Sequence, residues 1–167
     1  GGGQLGRMFT IRAREMGYAV WVLDPDPRSP AGQVADRHLH AAYTDAPSLD
    51  AMALGCAAIT TAFENVPAAT LQALAARSVV RPPVHAVAVA QDRIAEKSFL
   101  RDRGFPTAPF QAVTREADLA ASFEAVGEPA LLKTSRLGYD GKGQAPVGSQ
   151  SDLEQAFARL GGAPCVL

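Results

Sequence analysis

The chain has 167 residues, 47% of them hydrophobic, and 16 basic against 17 acidic side chains leave a formal net charge of −1. That is apolar material for one ordinary domain, or a small domain plus part of another, and too much for a disordered chain. The charges are spread without a basic stripe, which disfavours nucleic acid or a membrane surface as partner and leaves room for small anionic ligands held by a few placed groups.

Residues 4–16 have helical character, with Gly17 as a stop. The apolar run Ala19-Val20-Trp21-Val22-Leu23 reads as a buried parallel strand, and the proline-rich stretch to Pro30 as a loop. A short strand is predicted at 38–40, a helix over 49–54, a strand at 57–61, a helix over 67–76 opened by Pro67, and a strand at 79–80 closed by Pro82-Pro83. Helices follow over 84–90 and 92–103, with Gly104 as stop. Beyond Pro106 the pattern restarts with a strand at 110–113, a helix over 116–126 and a strand at 129–134. A glycine-rich loop then runs over 136–144, and Ser151-Asp152-Leu153-Glu154 reads as a capping box for a helix to about Leu160. The alternation of strands and helices predicts an α/β fold, with a mostly parallel sheet in the part up to Pro83, where the chain divides into domains 1–83 and 84–167.

The chain opens on Gly1-Gly2-Gly3 and closes on the apolar run Pro164-Cys165-Val166-Leu167, so it reads as a fragment. Cys56 and Cys165 fit no metal spacing and read as buried free thiols of a reducing, cytoplasmic setting. No run is long and apolar enough to read as a transmembrane span or signal peptide.

Three clusters bear on chemistry. Gly1-Gly2-Gly3-Gln4-Leu5-Gly6 fits G-x-G-x-x-G at a helix start, and Asp24 ends the next strand about where a nicotinamide-dinucleotide site holds its ribose. The same turn also suits plain helix–sheet packing. Glu64, in Phe63-Glu64-Asn65-Val66-Pro67, follows a strand's C-terminal end, where ligands bind in open α/β sheets; a helix-start carboxylate is the structural alternative. Lys133 ends the run Ala130-Leu131-Leu132, and Gly138-Tyr139-Asp140-Gly141-Lys142-Gly143-Gln144 follows. An ammonium at a strand end beside a glycine loop suits a nucleotide polyphosphate, although the spacing is not that of a Walker A loop. Gln91-Asp92-Arg93 by itself reads equally well as a solvated helix start.

Taken together, Gly2-Gly3-Gln4-Leu5-Gly6-Arg7-Met8, Leu23-Asp24-Pro25-Asp26 with Ser29-Pro30-Ala31-Gly32, Phe63 to Pro67, and Gly138 to Gln144 resemble one family, the ATP-dependent carboxyaminoimidazole ribonucleotide synthetases of the ATP-grasp superfamily. Gln91-Asp92-Arg93 with Glu96-Lys97, and Pro106-Thr107-Ala108-Pro109, fit the same pattern. The resemblance implies a Rossmann-like pre-ATP-grasp domain, with a further strand ahead of Gly1, followed by the first part of an ATP-grasp domain. It implies a purine-pathway ligase that carboxylates 5-aminoimidazole ribonucleotide with bicarbonate through carboxyphosphate, at the expense of ATP. Arg93, Lys133 and the loop Gly138, Tyr139, Asp140, Gly141, Lys142, Gly143 and Gln144 match ATP contacts. Gln4, Glu64 and Tyr139 match substrate positions, and Glu64, Tyr139, Asp140 and Lys142 match positions near the reacting groups. Magnesium ligands, an adenine hinge and ribonucleotide-phosphate cations are expected beyond Leu167, so the piece alone is expected to be inactive; the full-length protein is expected to be a cytoplasmic homodimer. The rival readings are another ATP-grasp ligase of transformylase or carboxylase type, a nicotinamide-dependent oxidoreductase, and a non-enzymatic binding module.

Overall fold

Helix α1 (Gln4–Glu15) begins directly after the opening glycines, and Gly17 follows its last turn. The computed structural model describes residues 1–138 and 141–167, so Tyr139 and Asp140 lie outside the described residues. Strand β1 (Trp21–Asp24) is buried on both faces at Val22 and Leu23, as its unbroken apolar run requires. It pairs in parallel with β2 (Arg37–His40), Trp21 opposite Arg37 and Asp24 opposite His40. Helix α2 (Ala46–Gly55) starts earlier than the predicted residue 49, because the Asp45 carboxylate caps it by accepting the Ser48 N–H at 3.0 Å. Strand β3 (Ala58–Thr60), helix α3 (Ala68–Ala75) and strand β4 (Val79–Arg81) then repeat the unit, with β3 and β4 parallel. Helix α4 (Val84–Ala90) adds Val87 to the core formed by Leu23, Met52, Ile59, Leu71, Leu74 and Val80.

The two parallel pairs, β1–β2 and β3–β4, are not hydrogen-bonded to each other. A largely apolar cavity of about 750 Å³ is lined by both β1 and β3, together with parts of α1 and α3. These elements form the unit Gly1–Ala88.

The second unit, Val89–Leu167, has its own core and a differently built sheet. Helix α5 (Arg93–Asp102) is capped by Asp92, whose carboxylate accepts the Ile94 and Ala95 N–H groups. Strand β5 (Ala112–Val113) leads through a 3₁₀ turn (Glu116–Asp118) into α6 (Leu119–Val126). Strands β6 (Ala130–Thr134), β7 (Gln144–Val147) and β8 (Cys165–Val166) complete a sheet ordered β5-β8-β6-β7, with α7 (Gln150–Arg159) between β7 and β8. Every pairing in it is antiparallel; the predicted parallel arrangement belongs to the first unit, where β1–β2 and β3–β4 bear it out.

Strand β7 is absent from the sequence reading because Pro146 sits in it. As the edge of the sheet it tolerates a residue that donates no ladder bond. Helix α7 starts earlier than the capping-box reading had it: Ser149 caps it, its hydroxyl accepting the Asp152 N–H at 3.1 Å. Leu132, Leu153, Val113 and Cys165 are fully buried where α6 and α7 pack on the sheet. Burial on that scale stabilises by roughly 1.5–3 kcal/mol per large apolar side chain.

Candidate active site

In the first unit the glycine turn, the end of β1 and the end of the β3 segment line a cavity of about 380 Å³. Its wall includes residues 1–6, Asp24, Ser29, Tyr43 and Phe63. That volume lies in the range of small-molecule sites. The turn is pinned on both sides of one peptide. The Gly2 N–H donates to Asp24 Oδ2 at 2.6 Å, and the Gly2 carbonyl accepts the Ala31 N–H at 2.8 Å. A Cβ on Gly2 would stand 2.6 Å from Ser29 Cβ and 2.8 Å from Asp24 Cβ, so only glycine fits this approach. Gln4 opens α1 at the cavity wall, next to the first-turn amides that have no intrahelical acceptor.

Asp24 is committed within this network. Its Oδ2 also accepts the Tyr43 hydroxyl at 2.7 Å, and its Oδ1 accepts the Asp26 N–H at 2.9 Å. Burial works to raise the pKa of this carboxyl, but the bonds from Tyr43, Asp26 and Gly2 outweigh it and hold it below the usual range. Burial and then Asp24 push the Tyr43 phenol upward. A carboxylate occupied in this way organises the turn, with three donors from Gly2, Tyr43 and Asp26 already on it, which gives Asp24 a structural role where the nicotinamide reading would have it hold a ribose.

Glu64 lies in the turn between β3 and α3, is exposed, and accepts from the Asn65 side chain at 3.2 Å. Its neighbours Ala62 and Phe63 line the cavity.

In the second unit the glycine loop is the hairpin between β6 and β7. Lys133 is the strand partner of Gln144, the last residue of the loop. Strand alternation puts Leu132 in the core and Lys133 on the opposite face. The Thr134 N–H donates to the Gly143 carbonyl at 2.8 Å, closing the hairpin at its base. Gly143, at φ 69°, passes so close to Thr134 that a Cβ would lie 2.5 Å from its Oγ1.

The start of α5 grips the same hairpin. The Arg93 guanidinium donates to the Thr134 carbonyl at 3.1 Å and to the Gly138 carbonyl, while the Arg93 N–H donates to the Ser135 carbonyl at 2.9 Å. Asp92 accepts from the Ser135 hydroxyl and from Arg136 Nε at 3.2 Å. Those bonds hold Asp92 below the ordinary carboxylate range although burial opposes them. The Arg93 bonds run to neutral carbonyls, and among the described residues neither Arg93 nor Lys133 forms an ion pair. Among the described residues their charge is thus uncompensated, as an anionic ligand requires.

The structure therefore brings Arg93, Lys133, Gly138, Gly143 and Gln144 to one hairpin, with Gly141 and Lys142 within its loop. Gln4 lies in the cavity of the first unit. Sequence reasoning missed Tyr43, Thr134 and Ser135, and gave Asp92 no role of its own within Gln91-Asp92-Arg93, a string open to reading as a solvated helix start or as part of the family pattern. The helix-capping pattern of Asp92 was legible in the sequence, but its grip on Ser135 crosses 43 residues and had no local signal.

The description "Ribonucleotide synthetase preATP-grasp domain" matches residues 1–91, and "ATP-grasp domain" matches residues 98–167. Over the whole chain it is 43% identical to the N5-carboxyaminoimidazole ribonucleotide synthase of Brucella melitensis and 42% identical to that of Pseudomonas aeruginosa. It spans 47% and 46% of their lengths, a little under half. Among solved structures, the Staphylococcus aureus N5-carboxyaminoimidazole synthetase complexed with ADP superposes with a TM-score of 0.93 at 37% identity, over 99% of this chain and 44% of that one. The Aspergillus clavatus N5-carboxyaminoimidazole synthase in complex with ADP and 5-aminoimidazole ribonucleotide gives a TM-score of 0.87 at 30% identity, with the same coverage. The chain belongs to the ribonucleotide synthetase preATP-grasp family, the family of the N5-carboxyaminoimidazole ribonucleotide synthetases.

Proposed function

We propose that the complete protein is an ATP-dependent ligase of purine biosynthesis that carboxylates 5-aminoimidazole ribonucleotide on its exocyclic amine, using bicarbonate. The reading is carried by likeness over the whole chain to N5-carboxyaminoimidazole ribonucleotide synthases, joined to two cations beside a glycine hairpin that form no ion pair among the described residues. Bicarbonate is a weak nucleophile towards phosphate, so the reaction needs a neutralised triphosphate and reactants held in line. In the proposed sequence a bicarbonate oxygen attacks the γ-phosphorus and ADP leaves. The ribonucleotide amine then attacks the carboxyl carbon of the resulting carboxyphosphate, and phosphate leaves.

In this scheme Arg93 and Lys133 offset the phosphate charge, and the loop of Gly138, Gly141, Lys142, Gly143 and Gln144, with Tyr139 and Asp140, shields the acyl phosphate from water. Gln4 and Glu64 serve the ribonucleotide, and Glu64, Tyr139, Asp140 and Lys142 the reacting groups. Among the described residues no group of three His, Cys, Asp or Glu side chains could hold a metal ion. A cytoplasmic homodimer, divided near Pro83 into domains 1–83 and 84–167, completes the proposal; among the described residues no helix is long and apolar enough to cross a membrane.

The test is ADP release by the complete gene product. The reading requires release that depends on both bicarbonate and 5-aminoimidazole ribonucleotide; release indifferent to the ribonucleotide would overturn it.

A further inference from the structure

The cavity of the first unit contains one polar link that the proposed reaction does not use. Tyr43 stands in the wall, half-buried, and donates its hydroxyl to the same Asp24 oxygen that accepts the Gly2 N–H. Its own carbonyl accepts the hydroxyl of Thr70, a buried residue of α3, at 2.9 Å. Tyr43 therefore links α3 to the turn that starts α1, held by Thr70 at its main chain and reaching Gly2 through Asp24 with its phenol. The segment leading into α3 supplies Phe63 to the cavity, and a Cβ on Gly1 would stand 2.9 Å from Phe63 Cβ and 3.7 Å from the Tyr43 hydroxyl. Both walls of the cavity are thus tied to Tyr43.

We infer that Tyr43 is a positioning residue for the ribonucleotide: through Asp24 it fixes the glycine turn and keeps the carboxylate at the cavity wall engaged. This rests on the proposed ribonucleotide role of the cavity. Losing the phenol oxygen has two consequences. The turn keeps its bond to Asp24 but loses the brace from α3, so the wall at Gln4 loosens. Asp24 also loses one of its three donors and presents more negative charge towards a phosphorylated ligand, which that charge repels. Both effects act on ribonucleotide binding and neither acts on ATP.

The test is steady-state kinetics of the complete gene product carrying Tyr43→Phe, which keeps the ring in place. The KM for 5-aminoimidazole ribonucleotide should rise about tenfold, roughly 1.4 kcal/mol, while kcat and the KM for ATP stay within about twofold. Thr70→Val, which removes the hold of Thr70 on the Tyr43 main chain at nearly constant volume, should move the ribonucleotide KM in the same direction by a smaller factor. An unchanged ribonucleotide KM in a folded Tyr43→Phe protein overturns the inference, as does an equal rise for both substrates. Failure of both variants to fold would make the link a purely structural brace and overturn it too. If the unmutated protein does not turn over the ribonucleotide at all, the proposed function itself fails, and that result is visible before any variant is made.

Discussion

Lys133 stands on the face of β6 turned away from the Leu132 core, and that placement sets what its removal should do. In the complete gene product Lys133→Ala should cost about 2–4 kcal/mol of transition-state stabilisation, a fall in kcat/KM for ATP of roughly 30- to 1000-fold, with little change in melting temperature. Unchanged turnover would remove Lys133 from the phosphate site. Asp24 and Asp92 carry a pH signature. Both carboxyls are held below their ordinary range in the folded chain, so their stabilisation is fully present above the unfolded value near ~3.9 and is lost as pH falls through the folded values. Melting temperature should be flat from neutral pH to about pH 5 and should drop below about pH 4, with Asp92→Asn flattening the acidic limb. A third prediction concerns Cys165, which burial pushes up to about 11. With no exposed surface, it should react with a disulfide reagent at pH 8 only after unfolding. At this scale residue type was legible and partnership was not. Asp24 at a strand end looks the same in the sequence whether it reads a ribose or pins a turn, because Gly2 and Tyr43 are its partners across 22 and 19 residues.

Elements with strong periodicity or an unbroken apolar run, such as α1, β1 and β6, stand close to where the sequence puts them, since a local pattern fixes them. Those that depend on a neighbour do not. Strand β7 is held by its pairing with β6, Leu132 opposite Ala145 and Lys133 opposite Gln144, and Pro146 conceals it from any propensity argument. The glycine loop was therefore legible as a loop, while the strand that closes it on β6 was not. Helix α7 offers a direct comparison of two serines. Ser149 accepts the Asp152 N–H and Ser151 only the Gln155 side chain, so Ser149→Ala should cost about 1 kcal/mol and Ser151→Ala less than about 0.5 kcal/mol. Chemical denaturation of the two variants checks this, and a larger loss at Ser151 would restore the later helix start.

Among the described residues each unit has a core of its own, in two clusters in the first and one in the second, and Trp21, the single tryptophan, belongs to the first unit. Leu71→Ala and Leu153→Ala should each cost about 2–5 kcal/mol. Trp21 fluorescence should register the first more strongly than the second, and coincident shifts by fluorescence and circular dichroism in both variants would instead mean one cooperative unit. The α/β class was legible because alternation and helix period are local; the difference in strand direction between the units was not, because it depends on which strands meet. The cavity lined by β1 and β3 has a consequence for solvent isotope exchange. Those strands bury Val22, Leu23 and Ile59, yet among the described residues each has a strand partner on one edge only. An amide aimed at β2 or β4 is locked, while one aimed at the cavity has no carbonyl of a neighbouring strand opposite it among the described residues. In deuterium oxide, residues 21–24 and 58–60 should consequently show neighbouring amides that differ by orders of magnitude in exchange rate, although Val22, Leu23 and Ile59 are buried alike.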